Sequence, residues 1–457
     1  MWHRFTLALA CCLGLNSAVV SAAERPNIVF FLCDDLGWSD VGFHGGEIQT
    51  PQIDRLAASG VKLEAFYVQP VCSPTRAALM TGRYPSRYGL QVGVVRPWAQ
   101  YGLPLEERLL PQVLQSVGYA TAICGKWHLG HFQPPYLPMA RGFDHQYGHY
   151  NGALDYFTHL RDGGFDWHRD DKVCRDEGYT TVLLGDEAVR RIQAQDFARP
   201  LFLYVPFNAP HSPLQALPED LAVYRHIADK QRRTYAAMVH RVDLQIGRIV
   251  AALEQRGQMA QTLVIFSSDN GGPTKLGATN GKLRAGKGTL YEGGTRVAAF
   301  AAWPDQIPAG SECYEPLHMV DWYPTLANLT GAALDQPLPL DGRDAWQTMT
   351  GKAPSPHEDI LLNVTPANGA IRVGDWKLVL SDGLDEDGTE RLSPPNRRPG
   401  KKKDQNSAEI VELFDLSRDL SEEHNLAPQH PERVRELQAR LEHYAAAAAP
   451  PKSAPKS

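Results

Sequence analysis

Beyond its first two dozen residues the chain has no run of about 20 apolar residues. No segment of its body therefore reads as a membrane-spanning helix. Positive charge is also in short supply, with 46 Lys and Arg against 52 Asp and Glu and a formal net charge of −6. General binders of nucleic acid or anionic membrane show a basic excess over at least one domain. That class is excluded, and any anionic partner must be met by a local group of residues. Cysteine is sparse, at seven, and no Cys/His cluster has the spacing of a zinc site. No internal repeat is evident.

What is present is an ordinary globular composition, 43% hydrophobic and 21% charged over 457 residues, enough for one large core and a smaller one. Trp2, His3 and Arg4, the apolar run 5–20 and Ser21-Ala22-Ala23 read as a signal peptide over 1–23, with Glu24 as mature start and a periplasmic or secreted destination. A lipid anchor at Cys11 is disfavoured, because Leu9-Ala10-Cys11 lies too early in the apolar run. Cys33 and Cys124 end apolar runs and read as buried and unpaired, whereas Cys174 and Cys313 sit in polar surroundings where pairing stays open.

Continuous apolar, β-branched runs at 27–33, 119–124, 201–207 and 263–267 have the pattern of parallel strands buried on both faces. Helical periodicity occupies 52–59, 109–117, 181–195 and 231–256 between them. Thr50, Pro51 and Gly60 supply the cap, first turn and stop of the first helix. Strands alternating with helices predict an α/β, doubly wound sheet over 24–335. A smaller α+β domain follows over 336–445, with β-like segments near 359–363, 369–373, 376–380 and 412–416 and a helix from Pro431. Residues 385–408, with Lys401 to Lys403, read as a solvated loop, and 446–457 as a disordered tail.

In open α/β sheets the active site lies at the carboxyl ends of the strands. Each apolar run here is followed by residues with chemistry: Asp34-Asp35, then Lys126 and His128, then His211, then Asp269-Asn270. Three carboxylates converging on one point repel each other without a cation, and all-oxygen ligands suit Ca²⁺ or Mg²⁺ rather than zinc. Lys126, His128, His211 and Lys287 supply the opposite charge. A helix start is predicted near residues 73–75, where Pro74 precedes good helix formers, and its free N–H groups favour an anion beside Cys72.

Cys72-Ser73-Pro74-Thr75-Arg76, continued by Ala77-Ala78-Leu79-Met80-Thr81-Gly82-Arg83, resembles the signature of type I sulfatases. Gly125-Lys126-Trp127-His128-Leu129-Gly130, Gly286-Lys287-Gly288 and Tyr291-Glu292-Gly293-Gly294-Thr295-Arg296 match further family motifs in order and separation, from Pro26 to about Leu426. The similarity is closest to the arylsulfatase B branch, the N-acetylgalactosamine-4-sulfatases. It rests on Asp34-Asp35-Leu36-Gly37-Trp38, Gly42-Phe43-His44-Gly45, Arg141-Gly142-Phe143-Asp144 and Asp155-Tyr156-Phe157. Arg296-Val297-Ala298 departs from the proline common after Val.

The resemblance implies an alkaline-phosphatase-like fold and oxidation of Cys72 to Cα-formylglycine by a formylglycine-generating or anaerobic sulfatase-maturating enzyme. It also implies one Ca²⁺, with Mg²⁺ the weaker choice, held by Asp34, Asp35, residue 72, Asp269 and Asn270. In the implied mechanism the aldehyde hydrate attacks sulfur while Asp269 takes its proton. His211 and Lys287 serve the leaving alcohol, His128 deprotonates the second hydroxyl to expel sulfate, and Arg76 and Lys126 orient residue 72. The expected substrate is a sulfated saccharide, exo-cleaved at a 4-sulfated galactose or N-acetylgalactosamine of glycosaminoglycans or algal galactans such as carrageenan. Lys126, His211, Lys287, His149, Asp155 and Tyr156 are the expected substrate-binding residues, with His44, Arg83, Tyr150 and Trp303 as further subsite candidates. The rivals are a phosphonate monoester or phosphodiester hydrolase of the same superfamily, and a non-catalytic glycan binder in which Cys72 stays a thiol.

Overall fold

The computed structural model describes residues 25–365, 369–381 and 410–452. The expected signal peptide, the 385–408 loop with its three lysines and residues 453–457 lie outside them. Four apolar strands make the centre: β1 (Asn27–Cys33), β2 (Ala120–Lys126), β3 (Leu201–Pro206) and β4 (Thr262–Ser268). They lie in the order β4, β1, β3, β2 with every pairing parallel. Alternate residues of β1 enter opposite cores, Ile28, Phe30 and Leu32 on one face and Val29, Phe31 and Cys33 on the other. Burial on both faces is why the run is continuously apolar rather than alternating.

Among the described residues this sheet has ten strands. Beyond β2 come parallel His145–His149 and two short antiparallel strands; beyond β4 come antiparallel Phe300–Ala302, then Val61–Leu63 and Ser311–Cys313. Cys313 stands in the strand at one edge, and Cys174 follows the strand at the other. Adjacent strands are roughly 4.8 Å apart and a disulfide needs Cα atoms within about 7 Å, so the two cannot pair, and both are free.

Helices α1 (Pro51–Ala58) and α2 (Cys72–Thr81) show two differences from the sequence expectation. Thr50 stands at the N-cap of α1, but its hydroxyl donates to Asp54 and accepts from Gly42 N–H. The first N–H groups, of Gln52 and Ile53, go to Asp243 Oδ1 at 2.9 and 2.8 Å, so the long helix Lys230–Gln255 caps and pins α1. Helix α2 begins at Cys72 itself, which places the cysteine within the first turn.

The second sheet runs antiparallel through Ile360–Val364, Gly369–Val373, Trp376–Ser381 and Ile410–Asp415, backed by the helix Pro431–Ala446. It shares a core with the larger domain, since Leu361, Leu413, Leu437 and Leu441 pack with Ala78, Tyr84 and Val320. The expected disordered tail is docked as far as residue 452. Ala449 N–H donates to Ser86 O at 2.7 Å, and Lys452 N–H to Gly89 O at 2.8 Å. Its small residues let the extended backbone lie flat on that loop.

A buried ionic network joins the domains. Lys377 Nζ lies 3.0 Å from Glu292 and 2.8 Å from Glu422, with all three side chains excluded from solvent. Glu422 also accepts the N–H of Glu292 at 2.6 Å. Burial dominates at Glu422 and pushes its carboxyl up to about 7; at Glu292 Lys377 and Arg296 outweigh burial and hold it at about 2. Removing one member of such a network leaves an uncompensated charge in the interior. Lys377→Met is expected to cost about 3–5 kcal/mol in equilibrium unfolding. Because the folded state takes up a proton at Glu422 above its ordinary value, the deficit should shrink as pH falls from 7 toward 4.5. A loss below about 1 kcal/mol would remove the network from the account of stability.

Candidate active site

The loops leaving the four central strands stay in register past the sheet. Asp34 N–H donates to Ala209 O at 3.2 Å, and Asp269 N–H to Cys33 O at 3.0 Å. Asp34-Asp35, Lys126 with His128, His211 and Asp269-Asn270 therefore arrive together, as the sequence predicts. Helix α2 adds Cys72 and Arg76, which at i and i+4 share one face. Asp35 (φ 75°) and His128 (φ 60°) sit in the left-handed region, a strain typical of functional sites.

Charge is paired residue by residue. The Arg76 guanidinium grips Asp269 Oδ2 from Nε and Nη2 at 3.0 and 2.8 Å and donates to Lys126 O at 2.9 Å. Lys126 Nζ donates to Asp34 Oδ2 at 2.5 Å. Lys287 Nζ lies 2.6 Å from Asp35 Oδ1, which also accepts from Asn270 Nδ2 at 2.8 Å. Asp34, Asp35, Asp269, Arg76 and Lys126 are almost wholly buried. From the protein's own charges, burial and then repulsion by Asp34 push the Asp269 carboxyl up to about 6, against Arg76 and Lys126. Burial would raise Asp35 too, but Lys287 and then His211 outweigh it and hold it below the usual carboxylate range.

The residues fit a divalent cation. Donor atoms of Asp34, Cys72 and Asp269 lie within 4.8 Å of one another, as do those of Asp34, Asp35 and His211. Asp34 Oδ1 and Asn270 Oδ1 are buried without a hydrogen-bond partner. Two orphaned hard oxygens among carboxylates are costly in a dry interior and are satisfied by an oxygen-seeking ion.

The two histidines of the site are neutral rings. His128 Nε2 lies 2.9 Å from Val95 O, an acceptor only, so Nε2 carries the proton and Nδ1 presents its lone pair to Cys72 Sγ at 3.3 Å. Burial, then Lys126 and Arg76, hold His128 well below the ordinary imidazole value. His211 Nδ1 lies 2.6 Å from Ser212 O, leaving Nε2 facing Asp35 at 3.7 Å; burial, then Lys287, bring its pKa down to about 3. A Cβ at Gly152 would lie 2.4 Å from His128 Cε1, so only glycine leaves the ring room. Burial raises the Cys72 thiol despite Lys126 and Lys287, making the unmodified sulfur a poor nucleophile.

A cavity of about 320 Å³ opens above Cys72, bounded by His128, His211, Lys287, the loop 93–97, Gly152, Ala153 and Arg161. Four expected saccharide contacts stand outside it, among them Lys126, which is buried on Asp34. His149 is buried and stacks near Trp167. Tyr156 is buried and donates to the carbonyls of Asn208 and His211, which positions the His211 loop. Asp155 accepts from the N–H groups of Phe157 and Thr158 and from Gln215. His44 stacks on Trp38, Arg83 pairs with buried Glu107, Tyr150 stacks on His168, and Trp303 packs near Trp346. Sequence reasoning missed the loop 93–97, Arg161 and Ser73. Ser73 Oγ ties the site together by donating to His128 O at 2.9 Å and accepting Val95 N–H at 3.1 Å. The Arg96-Pro97-Trp98 triplet was the available signal for the loop.

The profile of the family described as Sulfatase matches residues 26–332. Arylsulfatase J of Mus musculus is 37% identical, over 96% of this chain and 79% of its own length. N-acetylgalactosamine-6-sulfatase of Sus scrofa is 35% identical, over 76% and 70%. The crystal structure of Ps i-CgsB in complex with k-i-k-neocarrahexaose superposes with a TM-score of 0.82 at 33% identity, covering 94% of each chain. The alkaline-phosphatase-like architecture is shared across both domains.

Addition of Ca²⁺ to chelator-treated protein is expected to raise its melting temperature, by the equivalent of about 2.7 kcal/mol at a hundredfold excess over Kd. Asp34→Ala should abolish the rise. An unchanged melting temperature in the wild type would contradict the metal assignment.

Proposed function

Because the chain belongs to the sulfatase family and is a sulfuric ester hydrolase, we propose that it removes sulfate from sulfated carbohydrates with residue 72 as formylglycine. The reading rests chiefly on one observation: Cys72, buried at the first turn of α2, faces the lone pair of a neutral imidazole at 3.3 Å amid three cation–carboxylate pairs, two of them wholly buried.

Each group then has a task. The hydrated aldehyde, once formed by the maturation enzyme, supplies two hydroxyls on one carbon, one to attack sulfur and one to release it. A calcium ion held by Asp34, Asp35, Asp269 and Asn270 would supply Lewis-acid polarisation of the sulfate oxygens. Asp269 faces residue 72 with its charge balanced by Arg76 and is the acceptor for the attacking proton. His128 Nδ1 is the base for the second hydroxyl, its tautomer fixed by Val95 O. On the leaving side Lys287 is the charged group: burial would lower its pKa, but its acidic neighbours, Asp35 foremost, together outweigh it and raise it, so it holds its proton across the physiological range. His211, neutral in the free site, gains a proton only when an anion arrives beside it.

The substrate is proposed to be a 4-sulfated galactose or N-acetylgalactosamine, cleaved from a chain end, as the arylsulfatase B resemblance suggests. Relatives acting on N-acetylgalactosamine-6-sulfate and a carrageenan-bound structural neighbour support sulfated galactose-type sugars as the class. The enzyme acts after export, as its N-terminal sequence suggests.

Sulfate release from galactose-4-sulfate and N-acetylgalactosamine-4-sulfate, beside their 6-sulfated isomers, tests this in protein co-expressed with a formylglycine-generating enzyme. The 4-sulfates should be cleaved, Cys72→Ala should release nothing, and His128→Ala should turn over 10²–10⁴ times more slowly. Release from 6-sulfates alone would move the ester position. No release from any sulfate ester would overturn the reading in favour of phosphodiester chemistry.

A further inference from the structure

The cavity carries more positive charge than one sulfate ester requires. Arg76, Lys126 and Lys287 are each matched by a carboxylate beneath the floor. Among the described residues no acidic side chain lines the cavity, yet Arg96 and Arg161 also stand on its wall, in a chain whose net charge is −6.

The two arginines come from unrelated elements. Arg96 follows Val95, whose carbonyl fixes His128. Arg161 ends the first strand of the short hairpin Leu160–Arg161 and Gly164–Phe165. Arg96 makes no ion pair among the described residues. Arg161 meets its sequence neighbour Asp162 at 3.1 Å, with side chains 33% and 57% exposed, a pair weak enough to be exchanged for a better ligand. Two residues past Arg96, Trp98 is 75% exposed. An indole left so open beside a pocket wall offers a flat apolar face to a ring.

We propose that Arg96 and Arg161 form a second anion subsite that holds another oxyanion of the same saccharide, a sulfate or a carboxylate, with Trp98 supporting a sugar face. The inference rests on the sulfatase reading and deepens it: the preferred substrate carries at least two negative groups. Guanidinium forks suit this task, since they grip planar or tetrahedral oxyanions through paired N–H bonds. Converging from two walls, they select the spacing between the two anions as well as their charge.

The test is binding by the Ca²⁺-loaded Cys72→Ala protein, which needs no turnover. Calorimetry would compare N-acetylgalactosamine-4-sulfate, its 4,6-disulfate, and a uronate-bearing disaccharide with the same 4-sulfate. At least one doubly anionic probe should bind tenfold or more tightly than the singly charged sugar, and which one identifies the second group as sulfate or carboxylate. Arg96→Gln and Arg161→Gln should each remove most of that gain, as should high salt. Equal affinity for all probes, no binding of either doubly anionic probe, or unchanged discrimination in both variants would overturn the proposal. Failure of the underlying reading is separate, shown by the matured wild type releasing no sulfate from any ester.

Discussion

Three carboxylates buried beside Cys72 set the terms for everything around them. Asp34, Asp35 and Asp269 are essentially closed to solvent, where charge without a partner is prohibitively costly. Each has its own cation, from α2, from the end of β2 and from the loop holding Lys287. The orphaned oxygens of Asp34 and Asn270 ask for one more. The parallel sheet makes this possible, because strands that all end on one side deliver backbone loops, and their acids and bases, to the same point. Helix α2 completes the balance by carrying Cys72 and the Arg76 guanidinium on one face.

The same demand reaches into the smaller domain. Lys377 holds Glu292, the first residue of the short helix Glu292–Thr295, and Gly294 O accepts the N–H of Gly271 at 3.0 Å. Gly271 directly follows Asn270, and a Cβ there would lie 1.7 Å from Gly293 O. The loop bearing Asp269 and Asn270 is thus pressed against a turn that the second sheet anchors. The C-terminal domain contributes to the site by fixing backbone, while the loop 93–97 contributes by fixing the His128 tautomer.

Much of this was legible in the sequence, for identifiable reasons. The four central strands read correctly because burial on both faces leaves an unbroken apolar signal, and the convergence of Asp34, Lys126, His211 and Asp269 could be anticipated because each follows a strand end. What was not legible depends on partners distant in sequence. Thr50 looked like a cap, but the capping carboxylate is Asp243, 191 residues from Gln52. Tyr156 and Asp155 looked like subsite residues, yet they lie off the cavity wall and bond the His211 loop, a local turn and Gln215. Arg161 carried no motif and Arg96 only the Arg96-Pro97-Trp98 triplet, since loop residues meet a cavity only through tertiary placement. The tail as far as residue 452 looked disordered because its composition gives no hint of the carbonyls of Ser86 and Gly89 that receive it.

The central claim is that this charge-balanced pocket works through a converted residue 72. Its most direct test is specific activity against the fraction of residue 72 converted, read by peptide mass as a loss of roughly 18 Da from cysteine, across preparations with graded amounts of maturation enzyme. The account predicts a straight line through the origin. Sulfate release that persists at zero conversion would contradict it.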